Sequence, residues 1–262
     1  MKRSIYALGA GLMLVVGAMA ISPHVQAADA KVAAKPVITI YHIEGRRSQR
    51  VVWLCEELGI PYELVFKRGD LRGSMQTIKE VNPLMPVAPT VRIGDTIVVE
   101  SGAILEYLVQ KHGLGKLAPP LESPDYLQHL LWLHFSEGSA LPRLSGDLRR
   151  MMLTGEKTLT PNVFPGSNVQ LVGTKEVMKF IEAHLSKYPY FGGKEFSAAD
   201  IMMHLVYIQA TNIPGLDLKE YPRFAEWRMK VESRPAYART SEVALPDGKS
   251  PDGRGAPAPQ KT

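Results

Sequence analysis

The 262-residue chain is 45% hydrophobic and 22% charged, the balance of a globular protein with a full core, which excludes a disordered or fibrous chain. Its 31 basic and 26 acidic residues give a formal charge of +5, with no block of like charge and no basic-aromatic stripe, so no nucleic-acid partner is expected. A single cysteine, Cys55, excludes an internal disulfide and a C-x-x-C exchange site.

Taken in chain order, Lys2 and Arg3 precede an apolar run from Ile5 to Ile21, and Val25 and Ala27 stand at −3 and −1 of a small-residue cleavage site before Ala28. Residues 1–27 read as a secretory signal peptide, so the mature protein is expected to be exported, to a periplasm, with no stable membrane insertion. The run is about 17 residues, just under a membrane span, and an uncleaved anchor is the competing reading. Cleavage leaves 29 basic against 26 acidic residues, a charge of +3. Residues 28–36, rich in Ala and Lys, are expected to form a flexible lead-in.

"VITIYHI" alternates and is β-branched, which predicts a strand. "RSQRVVWLCEELG" puts Val51, Val52, Leu54, Cys55 and Leu58 on one helical face and stops at Gly59. "PYELVFK" predicts a second strand, "GSMQTIKEVNP" a short helix ended by Pro83, and "APTVRIGDTIVVE" a hairpin turning at "GD". "SGAILEYLVQKHG" predicts a helix opened by Ser101 and closed by Gly113. The order β-α-β-α-β-β-α gives an α/β domain over 37–114 with helices on a mixed sheet.

Strand signals then vanish. Long amphipathic segments over about 124–152, 172–187, 197–212 and 221–232 predict an all-α domain over 122–240. "LTGEKTLTPNVFPGSN" between the first two is expected to be a long polar loop or flexible insertion. In "FSAADIMM", Ser197 and Asp200 have capping-box spacing, and Phe196 and Ile201 are placed as a hydrophobic staple. The Pro/Gly-rich residues 246–262 are expected to be a disordered tail.

This layout, a thioredoxin-like α/β half followed by an all-helical half, resembles the cytosolic-type glutathione S-transferase family across residues 37–240. "ITIYHIEGRRSQRVVWLCEELGIPYE" resembles the family's first strand, active-site turn and first helix. "VNPLMPVAPTV" is similar to its segment before the third strand, one residue longer than the commonest form. "VVESGAILEYL", "FSAADIMM" and "RPAYART" resemble, in the right order, the start of its third helix, its helix-capping motif and its last helix.

The resemblance implies glutathione as co-substrate, a hydrophobic small-molecule electrophile as second substrate, detoxification chemistry and a homodimer. It implies that Pro89 is cis, with Pro86 as the competitor, so that the Ala88 backbone pairs with the extended tripeptide. It implies that Ser101 holds the γ-glutamyl carboxylate and Glu100 its amino group. A helix opening at Ser101 suits a carboxylate on physical grounds as well, and Ser101 also reads as a simple N-cap.

The catalytic task is to keep glutathione's thiol, ordinarily titrating near about 8.5, as thiolate at neutral pH. Two pKa units require about 2.7 kcal/mol, within reach of one charge-assisted hydrogen bond and a helix N-terminus. The donor stays open among three residues. Tyr41 falls on the family's tyrosine position, Arg46 stands where serine-type members carry their serine, and Ser48 is the nearest hydroxyl. Arg47 and Arg50 either join this cationic turn or pair with acids such as Glu44. Cys55, inside the apolar helix face, reads as a buried structural thiol. The seven histidines show no paired ligand spacing, so no metal is expected. Trp132, His134, Phe135, Arg143 and Met151 are candidates for a wall of the electrophile pocket, with core packing as the alternative.

Overall fold

The computed structural model describes residues 38–245; the expected signal peptide, lead-in and tail lie outside the described residues. Strand β1 (Ile38–Tyr41) is the heart of a four-stranded sheet ordered β2-β1-β3-β4. It runs parallel to β2 (Tyr62–Val65) with Ile40 opposite Leu64, and antiparallel to β3 (Thr90–Ile93) with Tyr41 opposite Thr90. β4 (Thr96–Val99) closes the hairpin. The alternation of β1 divides two layers. Ile38 and Ile40 enter the large core with α1 (Gln49–Leu58) and α3 (Ser101–His112), while Tyr41 and Ile43 meet Ile78 of α2 (Leu71–Val81). Helix α1 stops at Gly59, whose φ of 65° lets its N–H reach the Cys55 carbonyl.

The helical half begins with α4 (Tyr126–Phe135), passes through a π-helical turn (Ser136–Ala140) and continues as α5 (Leu141–Thr154). The segment expected as one helix over 124–152 is thus interrupted at Ser136. Helices α6 (Thr174–Leu185), α7 (Ala198–Ala210), α8 (Pro222–Glu232) and α9 (Pro235–Ala244) follow. The segment expected to be a long polar loop carries paired backbone, with Leu171 N–H on the Asn162 carbonyl (2.7 Å) and Phe164 N–H on that of Val169 (2.9 Å).

Helix α7 corrects the amphipathic expectation for its segment: ten of its 13 residues are buried, so it is the central helix of the half and not a surface one. Ser197 and Asp200 form the expected capping box. The Asp200 carboxylate accepts from Ser197 N–H (2.9 Å), Phe191 N–H (2.8 Å) and the Trp227 indole N–H (2.8 Å). Across the two halves α9 packs along α1 and α7 packs against both α1 and α3, so the end of β1 and the start of α1 lie beside the helical half.

Candidate active site

The segment between β1 and α1 makes a tight turn. Gly45 has φ +66°, a left-handed position that favours glycine. Arg46 N–H returns to the Ile43 carbonyl (3.2 Å), and Ile43 N–H donates to Ser48 Oγ (3.1 Å). Ser48 is fully buried and its Oγ lies 2.8 Å from His42 Nδ1. His42 Nε2 lies 2.7 Å from the Ala244 carbonyl oxygen, which can only accept, so Nε2 carries the proton. Nδ1 is then the acceptor, and the Ser48 hydroxyl, which also lies 3.3 Å from the Ile43 carbonyl, gives its proton to the nearer Nδ1. Tyr41 is 8% exposed and packs with Ile43 and Ile78 under α2, the core position that was the alternative to its catalytic one. Arg46 is partly exposed at the apex of the turn.

The other two arginines are paired, but with Glu137 and not with Glu44. Arg47 Nε donates to Glu137 Oε1 at 2.8 Å, and Arg50 Nη1 contacts the same oxygen. The π-helical turn presents this carboxylate to α1. Arg50 is 3% exposed, and its Nη2 also donates to the Met202 carbonyl (2.6 Å) and Ser136 Oγ (2.8 Å). Burial pushes Arg50 down to about 10 against the pull of Glu137, so it stays a cation at neutral pH. Burial opposes ionisation of Glu137, yet Arg50 and Arg47 together hold its carboxyl below the ordinary range. Glu44 instead accepts from Gly69 N–H (2.7 Å) and Arg68 (3.5 Å).

The remaining candidates lie on the strands and helix next to the turn. The Ala88–Pro89 peptide is cis, directly before β3. Glu100, exposed, holds φ +76°, an uncommon conformation for a residue with a Cβ. Ser101 follows as the first residue of α3, 2% exposed, and its Oγ has no hydrogen-bond partner among the described residues. The first four N–H groups of a helix have no partner within it, so this hydroxyl sits at the positive end of a 12-residue helix.

Cys55 is fully buried, and burial pushes its thiol up to about 12, so it is no nucleophile. Trp132 and Met151, offered as pocket wall, are 1% and 2% exposed and belong to the core. Trp132 packs on Phe135, Phe180 and Phe191 and donates to His184. Among the described residues no group of three or more His, Cys, Asp or Glu side chains could hold a metal ion. Sequence reasoning missed His42 and Glu137. The only signal for His42 was its place at the end of β1, because its partner Ala244 is 202 residues away. A separate cleft of about 310 Å³ opens between α3 and α4, lined by Val109, Pro119, Tyr126, Leu130 and the neutral His129.

Comparison with known proteins bears on the fold and the family. Residues 36–110 match the family model "Glutathione S-transferase, N-terminal domain" and residues 168–235 the model "Glutathione S-transferase, C-terminal domain". Glutathione S-transferase 3 of Schizosaccharomyces pombe is 33% identical over 217 residues, covering 79% of this chain and 87% of that one. A disulfide-bond oxidoreductase of Escherichia coli is 26% identical, with 76% and 92% covered. The structure of a Phanerochaete chrysosporium glutathione transferase in complex with oxidized glutathione superposes with a TM-score of 0.60 at 25% identity, covering 80% of this chain and 96% of that one. With its thioredoxin-like sheet, its helical second half and a relative one-third identical over most of both chains, this protein belongs to the glutathione S-transferase family.

Proposed function

We propose that the protein is an exported glutathione transferase that binds glutathione on its α/β half, holds the sulfur as thiolate at the 43–48 turn and presents it to a hydrophobic electrophile against the helical half. The observation that carries this reading is Ser101: a buried hydroxyl without a partner at the positive end of α3 suits an incoming carboxylate. Glu100, exposed beside it, suits the ammonium of the same γ-glutamyl group, and the Ala88 backbone ahead of β3 suits the peptide. The bound oxidized glutathione of the Phanerochaete chrysosporium relative supports this choice of ligand. Exposed Leu84, Met85, Tyr107 and Leu127, before β3 and on α3 and α4, support a homodimer.

Among Tyr41, Arg46 and Ser48, the geometry favours Arg46 as the group that meets the sulfur. The Ser48 proton is engaged by His42 and the Tyr41 ring is packed under α2, whereas Arg46 is partly exposed on the turn. A cation about 4–6 Å from a thiol lowers its pKa by roughly 1–3 units. The thiolate then attacks an electrophilic carbon, and the leaving group departs with its electron pair or a proton completes an addition. Calorimetric titration with glutathione, paired with turnover of a chromogenic electrophile, tests the reading. The wild type should bind below about 1 mM, the ordinary range for a substrate, Ser101→Ala should bind at least tenfold more weakly, and Arg46→Ala should raise the pKa of the bound thiol. Absence of glutathione binding by the wild type ends the proposal.

A second reading is a non-catalytic ligand-binding member of the family. Arg46 in the place of a hydroxyl and the apolar cleft between α3 and α4 favour it. It is selected if the protein binds an apolar dye and turns over no electrophile. A disulfide-reducing activity, as in the name of the Escherichia coli relative, would have to run on glutathione's own sulfur, because Cys55 is buried.

A further inference from the structure

We propose that His42 is a positioning residue for the glutathione thiol: it fixes the 43–48 turn through Ser48 and is itself fixed by the last turn of α9, so the C-terminal helix is a working part of the site. The inference rests on the reading of that turn as the place where the sulfur lies.

Every link in this chain is buried and has a determined direction. The His42 backbone N–H is anchored on the Val65 carbonyl at 2.9 Å, continuing the β1–β2 pairing by one residue. Its ring, fully buried, stands edge-on to Phe66 with centroids 5.0 Å apart. Nε2–H donates to Ala244, and this forces Nδ1 to accept from Ser48. The same Ser48 oxygen accepts Ile43 N–H, which closes the turn on itself around Gly45 and Arg46. One hydroxyl therefore braces both ends of the turn and takes its orientation from the imidazole.

The far end is equally fixed. The last carbonyls of a helix have no partner within it. Here they are met by side chains of the α/β half: Ala244 by His42, and Val243 and Leu245 by Arg68, each at 3.0 Å. Arg68 also reaches Glu44 in the turn. A donor and a cation at the negative end of α9 both suit its dipole. If α9 shifts, His42 loses the acceptor that sets its tautomer, and Ser48 loses its orientation.

Two near-isosteric substitutions separate the arms. In His42→Gln the amide N–H replaces Nε2–H and the acceptor at Nδ1 is gone; in His42→Asn the amide replaces Nδ1 and Ala244 loses its donor. Steady-state kinetics should give a glutathione KM raised about three- to tenfold in His42→Gln and Ser48→Ala, the range of one neutral hydrogen bond, with kcat changed less than about threefold. The double variant should be no worse than Ser48→Ala alone, because the two act in series. Hydrogen exchange of the Ile43 amide should be about tenfold faster in His42→Gln, and nitrogen NMR of the wild type should find Nδ1 of His42 unprotonated.

Loss of thermal stability with an unchanged KM and an unchanged Ile43 exchange rate would mean a purely structural histidine and overturn the proposal. So would effects that add in the double variant, or a proton on Nδ1. If the wild type binds no glutathione, the assignment of the turn fails separately, and exchange at Ile43 together with the NMR tautomer still decides whether His42 holds it. The tautomer measurement needs no variant and therefore survives a substitution that does not fold.

Discussion

A single carboxylate oxygen, Oε1 of Glu137, takes both Arg47 and Arg50, joining the start of α1 to the π-helical turn of the helical half. The two arginines are not equivalent. The Arg50 side chain is 4% exposed and that of Arg47 is 41%, so the first contact is an interior one and the second belongs to the rim.

Glu137→Ala should therefore cost about 3–5 kcal/mol in denaturant unfolding, because it leaves the Arg50 guanidinium buried without its counter-charge. Arg47→Ala should cost under about 1 kcal/mol, the usual worth of an exposed pair. Equal losses in the two variants would refute this division between interior and rim.

Asp200 is the next most consequential carboxylate. Burial pushes it up to about 6, opposed by the N–H groups of Phe191, Ser197 and Trp227 that it accepts from. Asp200→Ala removes the acceptor for three buried donors at once. It should destabilise by at least about 3 kcal/mol, with each orphaned donor costing about 1 kcal/mol or more. Asp200→Asn keeps one acceptor oxygen and should lose less. Thermal unfolding of the pair checks the order.

Acid should weaken the fold before it denatures it. Burial holds His42 and His129 at about 4, against an ordinary 6.5. Between those values the unfolded chain binds protons that the folded chain refuses, so stability falls as pH drops from about 6.5 to about 4. The loss for His42 is roughly 3 kcal/mol, at 1.36 kcal/mol per unit. Asp200 acts with the opposite sign: its folded value near 6 lies above the ordinary 3.8, so it gains as pH falls through that window. His184, also held below its ordinary value by burial, acts with His42 and His129, so three histidines against one aspartate leave a net loss. Urea midpoints measured from pH 7 to pH 4 should decline, and decline less in His42→Gln.

Cys55 should be chemically silent. With no exposed surface and its thiol pushed up to about 12, it should react with Ellman's reagent only after denaturation, and Cys55→Ala should leave glutathione turnover unchanged. Fast labelling of the native protein would contradict the packing of α1.

What could be read from the sequence was whatever local physics controls. The β-branched alternation of "VITIYHI", the Gly59 stop and the Ser197–Asp200 capping box each depend on a few adjacent residues, and each appears in the structure near its expected place. The cis bond before Thr90 followed from the resemblance of its segment. What escaped depended on distant groups. Nothing near His42 indicates that its acceptor is Ala244. Nothing near Arg50 favours Glu137 over the adjacent Glu44, because that choice is made by the extra residue of a π-helical turn. Trp132 and Met151 look the same in sequence whether they line a pocket or fill a core. Only the packing of α6 and α7 around them decides.

The grip of His42 on Ala244 also sets an order of events during synthesis. The sheet can assemble once β4 has left the ribosome, and with it the cis-proline turn and the opening of α3. The imidazole, however, acquires its acceptor only when the ninth helix has been made, some 200 residues later. A nascent chain stalled anywhere in between would carry every strand of the α/β half and still lack the brace on its arginine turn.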